Sequence, residues 1–317
     1  MKSYVLKIVG VAFQVLFLST SLFSQSIEKI SSRQEFNLGG THSNEVQFFK
    51  MESKLVTYEP DGKIAETDIL RLQVKYVPNE GNDRAEKFTC VKFTIQKDDE
   101  AELELPALSN WSYVYNDSAN IDKGYVFGID YSKFENLTDS EGNPLSFETS
   151  YQVYNAFIDI HGFCSLFPEP TVEGAGIQDL KYIGNKIVHD AAYSKAPTNL
   201  GKNISEGSYF QNGEITLEFK GLSFINDKEC VLIGFDSGES SFKMIRSPMP
   251  NFEIISNGSS HYKGDFYKDL NSGWIQKVEF SEIVVAETSL PQPPNKINAV
   301  IEREIIIRNV NAEEFVD

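Results

Sequence analysis

Histidine and cysteine are scarce in this sequence, with four and three residues in 317. The cysteines, Cys90, Cys164 and Cys230, form no C-x-x-C pair. That excludes a thioredoxin-type redox site and a zinc ribbon. The histidines, His42, His161, His189 and His261, form no H-E-x-x-H. A Gly-rich phosphate loop, a G-x-S-x-G elbow and an EF-hand loop are missing as well. No cofactor, no metal ligand set and no catalytic residue is therefore assigned, and the binding residues stay unknown. Members of a Ser-His-Asp triad need not be neighbours in sequence, but no serine is marked as a nucleophile.

Positive charge is also short: 29 Lys and Arg stand against 46 Asp and Glu, a formal net charge of −17. Such a chain repels phosphate backbones and anionic lipid surfaces, so nucleic acid is excluded as a partner class. Solubility, cation binding and basic partners all remain compatible with it.

Long apolar runs are absent except at the start. Lys2 and Lys7 precede an apolar stretch, Ile8 to Leu18, and small residues follow at Ser19, Thr20, Ser21, Ser24 and Ser26. That order predicts a secretory signal over residues 1–25, cut between Ser24 and Ile27. The stretch is shorter than the ~20 apolar residues a membrane helix takes. Its ending, Leu22-Phe23-Ser24-Gln25, resembles export signals of Gram-negative bacteria. The processed chain is expected in the periplasm or outside the cell, with no membrane span after cleavage. In an oxidising compartment two of the three cysteines could pair; three unpaired core thiols are the other reading, and both stay open.

The body of the chain reads as β. Its 14 Tyr and 23 Phe favour strands, and turn signals recur, among them Pro60-Asp61-Gly62, Gln211-Asn212-Gly213 and Asn271-Ser272-Gly273. Thr67 to Val77 alternates, with Leu70, Leu72, Val74 and Tyr76 on one face. In the last run, Ile297 to Val310, Ile301, Arg303, Ile305 and Ile307 share a face. Several runs reach about ten residues, against a usual five or six, and accumulated twist curls such strands. The fold class predicted is mostly β: an antiparallel meander forming a curved sheet or half-barrel, or two similar β units, with a short helical insert between halves. The organisation predicted is a β unit over 26–167, a helix and loop insert over 168–204, and a β unit over 205–317. Ile177 to Ala192 carries the helical spacing in that insert, and a second short helix is expected over Ser132 to Leu137. Tyr151 to Ile160 is read as a strand.

Three local clusters are candidate chemistry. Asp159 and His161, on one face of that expected strand, could form a general base or a ligand pair, or merely satisfy each other. Asp139, Glu141 and Asn143 offer alternate oxygens, fewer than the six to eight calcium takes. Tyr209, Phe210, Tyr262, Phe266, Tyr267 and Trp274 could line a cleft or serve as core and cross-strand pairs.

The C-terminal meander is similar to the half-barrels of periplasmic lipoprotein and lipid carriers. Three functions follow as expectations: an exported, non-enzymatic binding or carrier protein of the bacterial envelope, with an apolar small molecule or lipid on the concave face; a structural or interaction protein partnered with another envelope protein; and a hydrolase with dispersed residues, for which Asp159, His161 or His189 would meet another polar group in a cleft.

Overall fold

The computed structural model describes residues 34–78, 86–115, 125–196, 204–249, 252–293 and 295–316. The expected signal segment lies outside them. In chain order the strands are β1 (Gln47–Tyr58), β2 (Ile64–Val77), β3 (Lys87–Lys97), β4 (Leu103–Glu104), β5 (Trp111–Val114), β6 (Tyr125–Val126), β7 (Ile129–Asp130), β8 (Lys186–Val188), β9 (Lys195–Ala196), β10 (Tyr209–Gln211), β11 (Thr216–Ile225), β12 (Lys228–Asp236), β13 (Ser241–Met249), β14 (Phe252–Asp269), β15 (Ile275–Ser289) and β16 (Lys296–Val310). One helix, α1 (Phe147–His161), lies between β7 and β8, and a short α2 (Ala312–Val316) ends the chain.

All strands but β6 and β7 join one antiparallel sheet, whose main path runs β4-β3-β2-β1-β16-β15-β14-β12-β11-β8, with β5 on β3, β13 on β14, β10 on β13 and β9 on β10 beside it. Its terminal strands do not meet, so the sheet is open. The pairing of β1 with β16 splices strands from the two ends of the chain. β14 is 18 residues long; its first part pairs with β13 and its second with β12. Period-two alternation puts Leu72, Val278, Ile305 and Ile307 on the inner face, all at most 1% exposed.

α1 lies on that inner face. Val153, Tyr154, Ala156, Phe157 and Ile160 are buried in the same core as the sheet residues. Three expectations are corrected here. Tyr151 to Ile160 is helix, because Ser146 caps it, its hydroxyl accepting from the Thr149 amide at 3.0 Å. Val153, Tyr154, Phe157 and Ile160 then fall on one helical stripe. Ile177 to Ala192 is not helix: a one-turn 3-10 segment (Ile177–Asp179) leads to Gly184 at φ +89° and then to β8. A glycine in the left-handed region ends a helix rather than continuing it. The helix expected near Ser132 to Leu137 is a single 3-10 turn, Tyr131–Phe134.

The N-terminal segment is strapped to one end of the sheet. Phe36 meets Phe219 edge-on with centroids 5.2 Å apart. His42 stacks on Trp274 at 3.8 Å and lies 2.8 Å from Glu86. Burial opposes its charged form, but the hydrogen bond and attraction of Glu86 outweigh that and raise its pKa. Buried Lys268 donates to the Pro168 carbonyl at 2.6 Å and to those of Leu38 and Gly40.

One glycine shapes the inner face. Gly264 sits between Phe235 of β12 and Phe280 of β15 in register, and those rings approach to 5.3 Å. Phe163, just past α1, stacks on Phe280 at 4.2 Å. A Cβ at Gly264 would lie 2.0 Å from the Glu279 carbonyl and 2.5 Å from the Phe280 ring. Gly264→Ala is therefore expected to destabilise the fold by about 1–3 kcal/mol, as overpacking does. A thermal melt checks this, and an unchanged midpoint would refute it.

Candidate functional site

Asp159 and His161 do not act together. Two residues apart on a helix, they point about 200° away from each other. The strand reading had put them side by side.

Asp159 faces the sheet. Its carboxylate accepts from Arg303 Nη1 at 2.7 Å, while Arg303 Nε donates to Glu282 at 2.7 Å. Arg303 Nη2 also donates to the Tyr262 hydroxyl, and the guanidinium lies 5.3 Å from the centre of that ring. Ser260 donates to the second Glu282 oxygen at 2.5 Å. Asp159, Glu282 and Arg303 are all buried. Burial pushes the Asp159 pKa up; Arg303 pulls it down and Glu282 raises it again, to about 6. The sequence reading gives Tyr262 only as a cleft or cross-strand aromatic and Arg303 only as a strand-face residue, and it does not single out Glu282. The available signal was an Arg in phase with Ile301, Ile305 and Ile307, since a charge on an apolar face calls for a buried partner.

His161 faces the other way, into the rings of Phe88, Tyr113, Tyr115 and Phe127. Its Nε2 is 2.7 Å from the Tyr113 hydroxyl, and its Nδ1 meets no partner among the described residues. Burial lowers its pKa to about 3, so the ring is neutral. His189 is buried beside Asp190, and its Nδ1 accepts from the Ala191 amide at 3.1 Å. Burial lowers its pKa against the pull of Asp190. The three side chains named for the hydrolase reading are thus each buried in different contacts.

Cys90, Cys164 and Cys230 are buried and unpaired, and burial raises the pKa of each thiol. Asp139 turns its carboxylate onto the amides of Glu141 and Asn143, both at 2.9 Å. That is an Asx turn. Among the described residues no three His, Cys, Asp or Glu side chains converge as metal ligands. Phe266 and Trp274 are core residues. The inner face expected to hold an apolar ligand is covered by α1 and its aromatic neighbours.

The exposed apolar surface lies elsewhere. β13, the first part of β14, the second part of β15 and the start of β16 run past the core as a wing. On their outer face Ile283, Val285 and Val300 are 51%, 53% and 37% exposed, and Met249, opposite Phe252 at the wing tip, is 57% exposed. Val285 pairs with Val300, which pairs in turn with Tyr58, forming an apolar rung across three strands. A shallow depression of about 880 Å³ at the wing tip is lined by Met249, Pro248, Ile255, Leu290 and Pro291, with Glu253 at its side. Nearer the core the same outer face is ionic: Arg71 bonds Glu52 and Glu102 at 2.9 Å, Lys277 bonds Glu279 at 2.7 Å, and Lys220 bonds Asp265 at 2.5 Å. On one face of these strands the apolar rung thus lies between ion pairs, since Lys296 bonds Glu287 at 2.7 Å beyond it toward the tip. Among the described residues no helix is long and apolar enough to cross a membrane.

No family model matches the chain, and no curated protein matches it. Among solved structures it is similar to OmpF of Salmonella typhi in complex with daunomycin, at 10% identity and TM-score 0.21, over 87% of this chain and 100% of that one. It is similar to a mutant Rh. blastica porin at 8% identity and TM-score 0.20, over 84% and 100% of the two chains. To OprB of Pseudomonas putida it shows 7% identity and TM-score 0.18, over 84% and 94%. Likeness at this level carries no argument about fold or function.

Proposed function

We propose that this is an exported, non-enzymatic binding protein of the bacterial envelope that docks a protein partner on the outer face of its wing. The carrying observation is the apolar rung of Tyr58, Val300 and Val285, with Ile283 beside it, on a face that is otherwise laced with ion pairs. Ile and Val suit a strand by propensity alone, but as a contiguous apolar patch rimmed by charge they mark an interaction surface. The charged order of the first residues supports export. The enclosed-carrier alternative calls for a cavity, and α1 fills the inner face where it would lie.

A photo-crosslinking residue at position 283, introduced in the host, tests the reading. It is expected to give a discrete protein adduct, and the same residue at position 304, on the charged part of the face, is expected to give none. Val285→Lys should reduce the adduct from position 283 roughly tenfold, as loss of a central apolar contact does, without changing the melting midpoint. No adduct at 283, or equal adducts at both positions, would remove the proposal. A lipid recovered by native mass spectrometry would favour the carrier instead.

A further inference from the structure

We propose that the Asp159–Arg303–Glu282 cluster is a pH-responsive latch, holding α1 against the sheet more tightly in mildly acidic surroundings than in neutral or alkaline ones. The inference is independent of the wing's role.

The argument begins with charge. Arg303 on β16 is always a cation, and it serves two carboxylates, Asp159 on α1 and Glu282 on β15, both at 2.7 Å. The other groups facing the cluster are neutral: the Tyr262 and Ser260 hydroxyls of β14, and Tyr151 on α1 itself, whose pKa burial raises to about 12. With both acids ionised, one negative charge is left without a counter-ion in a buried site, where such an excess is costly.

Geometry decides which acid takes the proton. Glu282 accepts from two donors, Arg303 Nε on one oxygen and the Ser260 hydroxyl on the other. Asp159 accepts from Arg303 Nη1. Asp159 has the fewer donors and burial raises its pKa to about 6, so Asp159 is the group that protonates. It is also the member that belongs to the helix, so its charge state acts on the contact between helix and sheet.

The sign follows from linkage. In the folded protein Asp159 holds its proton up to about pH 6, against an ordinary carboxylate range near 4. Its contribution to docking is fully present below pH ~4 and is lost as pH rises through ~6. Between pH 7.5 and pH 5 the docked state gains roughly tenfold in population relative to the undocked one.

Hydrogen exchange of the α1 amides, corrected for the pH dependence of the intrinsic rate, reads this directly. Wild-type protection is expected to rise about tenfold from pH 7.5 to pH 5, while Asp159→Asn should show little change. Glu282→Gln, which removes the surplus charge and keeps an acceptor for Arg303, should flatten the profile too, and it serves if the first variant folds poorly. A wild-type profile without the rise, or both variants retaining it in full, would overturn the proposal.

Discussion

Arg303→Met is expected to lower folding stability by about 3–5 kcal/mol, the usual result of leaving buried charges without a partner. The side chain is 3% exposed and donates to Glu282, Asp159 and Tyr262. Met fills much of the space and supplies no donor, so two carboxylates are stranded on the inner face. The loss should shrink as pH falls from 7.5 toward 5, because protonation relieves the stranded anions. Urea unfolding at the two pH values measures it. The triple variant Asp159→Asn, Glu282→Gln, Arg303→Met should recover most of the stability, since neutral groups carry no charge to desolvate. If the single variant is as stable as wild type at pH 7.5, the network does not hold the helix.

Phe157→Ala is expected to cost a comparable amount, about 3–5 kcal/mol. Phe157 is fully buried at the centre of α1's apolar stripe. Its ring lies 5.8 Å from Phe93, 5.4 Å from Phe134, 5.6 Å from Trp111 and 6.1 Å from Tyr113. Truncation opens a cavity where helix, sheet and the 3-10 turn converge, and rings held by each other collapse into it poorly. The near-UV circular dichroism of Trp111 should weaken along with the urea midpoint. Phe157→Leu, which keeps most of the volume, should lose much less. Equal losses for the two would mean that α1 contributes little through this contact.

These two substitutions probe features of very different visibility in the sequence. The strands near the C-terminus were legible because strand period is local: each residue's face follows from its neighbours, whatever lies opposite. The run from Ile297 to Val310 shows this, with Ile305 and Ile307 buried and Glu304 and Arg308 exposed. The helix at Phe147–His161 was less legible. Its Tyr, Val, Phe and Ile residues suit a strand by propensity, and only the Ser146 cap and the spacing of Val153, Phe157 and Ile160 argue for the observed state. The insert at 177–192 erred the other way, with helical spacing interrupted by a glycine that takes positive φ.

Sequence alone determined the alternation that makes the strands, the acidic balance, and the lack of any local catalytic or metal motif. Tertiary structure decided what those strands enclose. Asp159 and Arg303 are 144 positions apart, and Phe163 and Phe280 meet only because a helix fills the curve of the sheet. The physical reason is range. Periodicity and turn chemistry act over a few residues, whereas burial of a charge or an aromatic ring depends on which distant segments the sheet's twist brings together. The same distinction governs the wing. Val285 and Val300 read as ordinary strand residues, and only their position past the end of the core leaves them facing water.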